Sequence, residues 1–420
     1  MGPVHSLLVG LRCQRCGAEF DDAPLFEGCP RCADGDWAAN LETVYDLDRA
    51  ADAWTGRRGR GLWRYAALLP VRDPAAMTSL GEGATPVVRL DHGPDLARTV
   101  WLKNEASNPT WSYKDRLCSV AVSKGLEQGA STIAASSTGN HGASAAAYAA
   151  RAGLRAVLLT REDVDRATTA FIQVYGGLVL RTTRRGRWAL LHHGVHHLGW
   201  YPVSTYTASP TGNPYGSDGY KTIAFELFED LAAVPDVVVV PTSYGEGLAG
   251  IAAGFEMLRA IGISDDVPRM VAVEPQAGAP LANALDHNLD RVAETGSTAT
   301  VAASIGATTA TDRALLALKR TRGTAIRVSD EEIMAAQRAA AHRGVFLEPA
   351  GAAGLAALSK LEERLADLVP DALIVVVGTA GGLRQIDIVS SHLADVAYVE
   401  PDPAALEDFL SRADGTGIPT

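Results

Sequence analysis

The chain has 420 residues, of which 47% are hydrophobic and 21% are charged, a composition typical of globular proteins. Its formal net charge of −11 argues against a nucleic-acid partner, because phosphate-binding surfaces are basic. No apolar run approaches the ~20 residues that cross a bilayer, and no signal peptide is visible. We therefore expect a cytoplasmic protein with no membrane partner, and the length favours two domains plus an appendage.

Four of the five cysteines form two knuckles near the N-terminus, Cys13-x-x-Cys16 and Cys29-x-x-Cys32, separated by twelve residues. This spacing provides four thiolates for a tetrahedral Zn²⁺ ion. Two disulfides or a redox motif are the alternative, which a reducing compartment disfavours. We predict a zinc ribbon over residues 1–40 whose metal is structural, because four sulfurs leave no open position for water.

A polar connector and an aromatic anchor are predicted over residues 41–80. From Gly81 the chain alternates short β-branched runs with alanine-rich windows of helical period, which is typical of a parallel sheet flanked by helices. The predicted strands cover residues 99–103, 132–135, 156–159, 178–181, 237–240, 270–273, 324–328 and 373–377. The predicted helices cover residues 112–128, 142–152, 168–175, 220–231, 247–261, 330–343, 350–365 and 404–411.

Four histidines stand close together, at His192, His193, His196 and His197. On a helix they would form pairs at i,i+4, which is a metal-ligand spacing. No carboxylate or cysteine is near them in the sequence, and Gly194 weakens a helix. We interpret the segment as polar surface rather than as a metal site.

Lys114 is the first candidate for catalysis. It lies between a turn that contains Pro109 and an apolar-periodic run, which predicts a loop-to-helix junction. A lysine at such a junction can point its amine into a cleft, and this makes Lys114 a candidate Schiff-base former.

The stretch around Lys114 and several others resemble the pyridoxal-phosphate enzymes of fold type II, and within that fold the threonine synthases. The matching text also includes residues 79–86 (SLGEGATP), 136–142 (SSTGNHG), 213–215 (NPY), 348–351 (EPAG) and 377–382 (VGTAGG). The resemblance implies a carbon–oxygen lyase that uses pyridoxal 5′-phosphate (PLP), acts on a small amino acid and forms a homodimer.

The architecture implied by the resemblance is an α/β fold of two domains, with parallel sheets flanked by helices and the cofactor in the cleft between the domains. A large cofactor-binding domain would comprise residues 81–109 and 213–402, and a small mobile domain residues 110–212. A C-terminal helix and tail would follow over residues 403–420.

A PLP enzyme needs an amine, a phosphate cradle, a partner for the pyridine nitrogen and a clamp for the substrate carboxylate. Lys114 would hold the cofactor and then act as the general base. The cradle would use N–H groups where strand 237–240 leads into a helix, and Glu246 should point away from the phosphate or meet a cation. The predicted cradle residues are Ser243, Tyr244, Gly245, Glu246, Gly247 and Leu248.

Thr379 matches the position that faces the pyridine nitrogen, where a hydroxyl favours elimination and replacement over transamination. The resemblance also places Asn140 on the 3-hydroxyl of the cofactor and counts Asn213 among the substrate-binding residues. The strand-to-helix turn before residue 142 would grip the substrate carboxylate, although its first two residues could equally cap the helix. The turn comprises Ser137, Thr138, Gly139, Asn140 and His141.

The substrate pocket departs from the threonine synthases at Gly216. Those enzymes bind the phosphate of O-phosphohomoserine partly through an arginine that follows Asn-Pro-Tyr, and this chain has glycine there. Because a lost guanidinium costs charge-assisted hydrogen bonds, we expect O-phosphohomoserine to be a poor substrate and Gly216→Arg to improve its use. The candidates for a replacement cation are Lys103, Arg116, Lys221 and Arg313.

Three functions remain open from the sequence. The first is threonine synthase with a rearranged phosphate site. The second is a threonine or serine dehydratase or a cysteate synthase-like enzyme of β-replacement. The third is a non-catalytic homologue that only binds the cofactor, against which the presence of Lys114, Asn140 and Thr379 argues. Release of phosphate from O-phosphohomoserine, compared with keto-acid formation from threonine or serine, separates the first two.

Overall fold

The computed structural model describes residues 6–57, 59–90, 99–137, 139–296, 299–391, 393 and 395–413. The chain forms two compact units, residues 1–384 and residues 385–420. Within the described ranges, the helices are all too short or too polar to cross a membrane.

The strands and helices are numbered in chain order. The strands are β1 (Leu8–Cys13), β2 (Glu19–Phe20), β3 (Leu41–Tyr45), β4 (Val87–Leu90), β5 (Val100–Asn104), β6 (Thr132–Ser136), β7 (Arg155–Arg161), β8 (Leu178–Thr182), β9 (Tyr201–Pro202), β10 (Val237–Pro241), β11 (Arg269–Pro275), β12 (Thr324–Val328) and β13 (Ile374–Gly378). The helices are α1 (Leu47–Gly56), α2 (Lys114–Glu127), α3 (Asn140–Arg151), α4 (Arg166–Gln173), α5 (Gly186–Leu198), α6 (Lys221–Leu231), α7 (Glu246–Ala260), α8 (Pro280–Asp286), α9 (Asp312–Arg320), α10 (Asp330–Ala341), α11 (Pro349–Ala356), α12 (Leu361–Arg364), α13 (Ile386–Ser390) and α14 (Pro403–Ala413).

Two parallel sheets organise the first unit. One has six strands in the order β12-β11-β10-β13-β5-β4, and all neighbours are parallel except β4 and β5. The other has four parallel strands in the order β8-β7-β6-β9. The valine run of β10 is buried along its whole length, as expected for a central strand that is covered on both faces.

The N-terminal residues form a small antiparallel sheet in the order β2-β1-β3. Polar contacts join this module to the rest of the unit: the Arg15 guanidinium pairs with Asp312 at 2.6 Å. The Asn40 amide donates to the Thr211 carbonyl at 2.8 Å and accepts from the Arg313 N–H at 3.0 Å. The four cysteines belong to this module.

All eight strands predicted from the sequence are present. The predicted helix 350–365 is wrong as a single helix, because α11 ends at Ala356 and a tight turn separates it from α12. Helix α5 was not predicted, and the expectation that Gly194 opposes it was also wrong. A β-carbon on Gly194 would lie 2.0 Å from the Trp200 ring, so glycine is required where this ring packs against the helix.

Arg116, on the first turn of α2, is the largest fully buried side chain. Its Nε donates to Glu105 at 2.7 Å and its Nη2 to Glu226 at 2.7 Å. The Lys103 amine lies 2.9 Å from the same Glu226 carboxylate. Burial alone would raise the pKa of Glu226, but Arg116 and Lys103 outweigh it and lower this pKa to about 2.

We predict that Arg116→Ala lowers the free energy of unfolding by ~3–5 kcal/mol, because two buried carboxylates lose their guanidinium. Since Glu226 has a folded pKa below its ordinary 4.5, its contribution is present above pH 4.5 and is lost as the pH falls toward 2. Denaturant titrations over pH 2–7 measure both effects.

The control is Arg320→Ala, which removes a partly exposed ion pair with Glu256 and should cost no more than ~1 kcal/mol. An Arg116 variant as stable as this control would contradict the role assigned to the buried network.

Candidate active site and cysteine cluster

A cavity lies where the carboxyl ends of strands from both parallel sheets meet. Its lining includes residues at or just after the ends of β6, β7, β8 and β9 of the four-stranded sheet, and of β10 and β13 of the six-stranded sheet. Ligands of open α/β sheets bind at such carboxyl ends. The cavity is therefore the candidate active site.

Lys114 begins α2 and lines the cavity. The Tyr113 N–H donates to the Thr379 carbonyl at 2.9 Å, which ties this loop to the end of β13. The lysine amine lies 4.8 Å from the centre of the Tyr113 ring and 5.8 Å from that of Tyr220. Burial lowers the pKa of Lys114, but the neighbouring Tyr113 and Glu246 outweigh it and leave this pKa raised.

The predicted cradle residues 243–248 all line the same cavity. Gly245 has a φ of 89° and directly precedes α7, where the first N–H groups of the helix have no partners within it and attract anions. A β-carbon on Gly245 would lie 2.3 Å from Ala314, and one on Gly247 would lie 2.6 Å from the Tyr113 ring. Glycine is thus required at both positions, because this loop packs closely against α9 and against Tyr113.

Glu246 lines the cavity, but its Oε1 is buried and has no hydrogen-bond partner. This oxygen points at the backbone of Gly212, where a β-carbon would lie only 1.7 Å away. Burial lowers the pKa of Arg313, and the charge of Glu246 opposes this effect.

The turn after β6 brings four predicted substrate residues to the cavity: Ser137, Gly139, Asn140 and His141. The Ser137 hydroxyl accepts from the N–H of Gly142 at 2.9 Å, so it caps α3. Burial, and then the Lys114 charge, lower the pKa of His141 to about 3, and the ring is neutral near pH 7. Thr138 lies outside the described residues.

Asn140 lines the cavity, and both ends of its amide are engaged. Its nitrogen donates to Glu348 at 2.9 Å, and its oxygen accepts from the Nε of Arg384 at 2.7 Å. Glu348 also accepts from the Ser304 hydroxyl at 2.8 Å. Burial raises the pKa of Glu348, against the opposing effects of Ser304 and Arg384. No role was predicted for Glu348, Arg384 or Ser304 from the sequence.

Thr379 lines the cavity at the end of β13, whereas Asn213 does not. The Asn213 amide is buried, donates to the Pro202 carbonyl at 2.9 Å, and accepts from the N–H groups of Tyr215 and Gly216. Its position corrects the expectation of a substrate contact, because the side chain is used to shape this turn.

Three arginines that the sequence analysis missed also line the cavity: Arg161, Arg184 and Arg187. Arg161 is the last residue of β7, Arg184 follows β8, and Arg187 lies in the first turn of α5. Arg161 pairs with Asp163, its Nε donating at 2.7 Å. Arg187 is only 8% exposed, and its Nε donates to the Arg184 carbonyl at 3.4 Å.

Among the described residues, no carboxylate lies within ion-pair distance of Arg187. Burial lowers the pKa of Arg187, and the charges of Arg161 and Arg184 lower it further against the opposing effect of Tyr244. A buried guanidinium that has no carboxylate partner is stabilised by an anionic ligand. The cluster therefore offers a second group suited to an anion in the same cavity, near Tyr244 of the loop that leads into α7.

Gly216 does not reach the cavity, which corrects the inference drawn from it. A β-carbon there would lie 3.0 Å from Ala121 and 3.1 Å from Leu117, so the residue packs against α2. The cations considered as replacements for arginine do not line the cavity either. Arg116 and Lys103 belong to the buried network. The Lys221 amine lies 2.8 Å from Asp218. Arg313 donates to the Ser217 hydroxyl and to the Leu41 carbonyl.

The four cysteines converge in the N-terminal module, with every sulfur within 4.8 Å of the others. The sulfurs of Cys13 and Cys32 are 3.8 Å apart, and so are those of Cys16 and Cys29. All four side chains are free thiols. Four sulfurs at about 2.3 Å from a tetrahedral Zn²⁺ ion lie about 3.8 Å from one another. The cluster thus has the donor type and spacing that a four-thiolate zinc site requires.

The comparisons with known proteins agree with this geometry. A family model described as pyridoxal-phosphate dependent enzyme matches residues 78–382. The threonine synthase of Methanocaldococcus jannaschii is 32% identical over 413 residues, covering 96% of this chain and 99% of that protein. The threonine synthase of Synechocystis sp. is 34% identical over 343 residues, covering 79% of this chain and 85% of that protein.

Solved structures support the fold. Maize serine racemase has a TM-score of 0.63 at 21% identity and covers 79% of this chain and 93% of its own. The processed form of threonine deaminase isoform 2 from Solanum lycopersicum has a TM-score of 0.64 at 17% identity and covers 87% and 95%.

We predict that Gly216→Arg destabilises the protein by at least ~1–3 kcal/mol, because its side chain overpacks the face of α2. It should not improve the use of a phosphorylated substrate. Thermal unfolding measures the first effect and steady-state kinetics the second. The matched control is Gly296→Arg, since a β-carbon on Gly296 meets nothing within 4 Å. Better use of the phosphorylated substrate by a stable Gly216→Arg protein would restore the original expectation.

Proposed function

The chain belongs to the family of pyridoxal-phosphate dependent enzymes, and from that premise we propose that it is a lyase of the threonine synthase type. It would convert O-phosphohomoserine and water into threonine and phosphate. The observation that carries the proposal is a single cavity whose lining combines the amine of Lys114, the start of α7 and three arginines. One site thus brings an amine together with two groups suited to anions.

The residues present fit PLP. Lys114 would provide the amine, the N–H groups at the start of α7 would bind the phosphate, and Thr379 would provide a hydroxyl for the pyridine nitrogen. When bound, the cofactor would withdraw electrons from the substrate carbon that bears the amino group. The Lys114 amine would move protons at this carbon and its neighbour. Its raised pKa suits an amine that must retain a proton taken from the substrate.

The arginine cluster would hold the phosphate of the substrate. Arg187 provides a buried guanidinium with no carboxylate partner among the described residues, and Arg161 and Arg184 extend the positive charge. Hydrogen bonds between guanidinium and phosphate are short, strong and often bidentate. They would also stabilise the charge on phosphate as it leaves. This arrangement removes the need for an arginine at position 216.

The Asn140 network would fix the geometry of the cofactor side. Glu348 and Arg384 hold the Asn140 amide from both ends, so the side chain cannot rotate freely. His141 is neutral near pH 7 because it is buried, and it can donate or accept a hydrogen bond without bringing a charge to the substrate carboxylate.

The proposal includes a structural zinc ion held by Cys13, Cys16, Cys29 and Cys32. It is supported by the 3.8 Å spacing of their sulfurs. The zinc module would support the cradle indirectly. Arg15 of the module pairs with Asp312, and the N–H of the neighbouring Thr311 donates to the Tyr244 carbonyl in the cradle. The proposed homodimer and cytoplasmic location rest on the family resemblance.

We predict that the purified protein shows a visible absorbance band from lysine-bound cofactor and releases phosphate and threonine from O-phosphohomoserine in equal amounts. Lys114→Ala should remove the band and lower turnover by at least ~10²–10⁴-fold. Absorbance spectra and product analysis measure the two effects.

Lys319→Ala is the control, because this amine lies on α9 and donates to the Leu289 carbonyl outside the cavity. A Lys114 variant that keeps both band and turnover would contradict the catalytic assignment. Keto-acid formation from threonine or serine, without phosphate release from O-phosphohomoserine, would instead identify a dehydratase.

A further inference from the structure

His192 and His196 lie one turn apart on α5, and their ring centres are 4.3 Å apart. The sequence showed no carboxylate beside them. The structure corrects this, because it brings Glu27 of the N-terminal module to the same point. The Glu27 Oε1 lies 2.6 Å from the Nε2 of His196 and 3.6 Å from the Nε2 of His192.

The three side chains have the dimensions of a metal site. Their ligand atoms all lie within 4.8 Å of one another. Nitrogen and oxygen ligands at about 2.0–2.2 Å from a tetrahedral Zn²⁺ ion lie about 3.3–3.6 Å apart. All three side chains are 43–53% exposed. The 2.6 Å distance between Glu27 and His196 can therefore lengthen to this spacing without disturbing the core.

Tyr206 forms the wall behind the cluster. Its ring centre lies 6.0 Å from that of His192 and 6.4 Å from that of His196, and its hydroxyl donates to the Glu27 Oε1 at 3.4 Å. Outer hydrogen bonds of this kind orient metal-binding carboxylates. The same four residues line a second cavity, so a fourth coordination position would be open to water or to a small ligand.

We propose that Glu27, His192 and His196 bind a divalent transition metal, with Zn²⁺ as the best match, at a site separate from the four-cysteine cluster. Two imidazoles and one carboxylate suit Zn²⁺, Co²⁺ or Ni²⁺, whereas Mg²⁺ and Ca²⁺ prefer oxygen ligands alone. The site does not depend on the proposed reaction. It would tie the N-terminal module to α5, whose first turn carries Arg187 of the reaction cavity.

The test is equilibrium dialysis of the full-length protein against free Zn²⁺, with bound metal counted by elemental analysis. The wild type should hold two zinc ions per chain. Glu27→Gln and His192→Ala should each hold one, because losing a ligand should weaken binding by more than the ~10- to 100-fold that loss of an outer partner costs. Cys16→Ser, which removes the other site, should also hold one.

The matched control is His193→Ala. His193 and His197 have the same spacing on the same helix, with ring centres 4.6 Å apart, but among the described residues no carboxylate lies within ion-pair distance of either. This variant should still hold two zinc ions. A Cys16→Ser protein that holds no zinc, or a His193 variant that loses an ion as readily as the Glu27 variant, would overturn the proposal. Glu27 and the two histidines would then form only a hydrogen-bonded cluster at the surface.

Discussion

The position of Lys114 depends on a charge buried two residues further along α2. Arg116 joins the end of β5, through Glu105, to α6, through Glu226. An unpaired guanidinium at this depth would cost several kcal/mol, so the first turn of α2 has essentially one arrangement. Hydrogen bonding of Tyr113 to the Thr379 carbonyl fixes the same turn from the other side. The reactive amine is therefore held by the six-stranded sheet, even though its helix leads into the four-stranded one.

The two parallel sheets contribute different kinds of group to the cavity. The six-stranded sheet supplies groups that must stay fixed: the amine, the α7 cradle and Thr379. The four-stranded sheet supplies Asn140, His141 and the arginine cluster, which would meet the substrate. Both sheets place these groups at the carboxyl ends of their parallel strands, where N–H groups and loop side chains are free to bind a ligand. The N-terminal module supports the cradle from outside through Arg15 and Asp312.

The sequence predicted many features that are encoded locally, although it missed helix α5 and the break between α11 and α12. Valine runs identified the buried strands, Gly245 and Gly247 marked the cradle, and paired Cys-x-x-Cys motifs marked the cysteine cluster. It did not predict contacts made across long stretches of chain, such as Glu348 with Asn140 or Glu27 with His196. Position 216 was misjudged because a motif gives the order of residues but not the direction in which a side chain points.

The central claim is that one cavity holds two phosphate sites, one at the start of α7 and one at the arginine cluster. A crystal structure of the protein with PLP and inorganic phosphate tests it most directly. We expect the cofactor on Lys114, with its phosphate at the N–H groups of residues 243–248, and a separate phosphate ion on Arg187 with Arg161 or Arg184. A cofactor phosphate bound by the arginines, or a phosphate ion bound elsewhere in the cavity, would contradict this account.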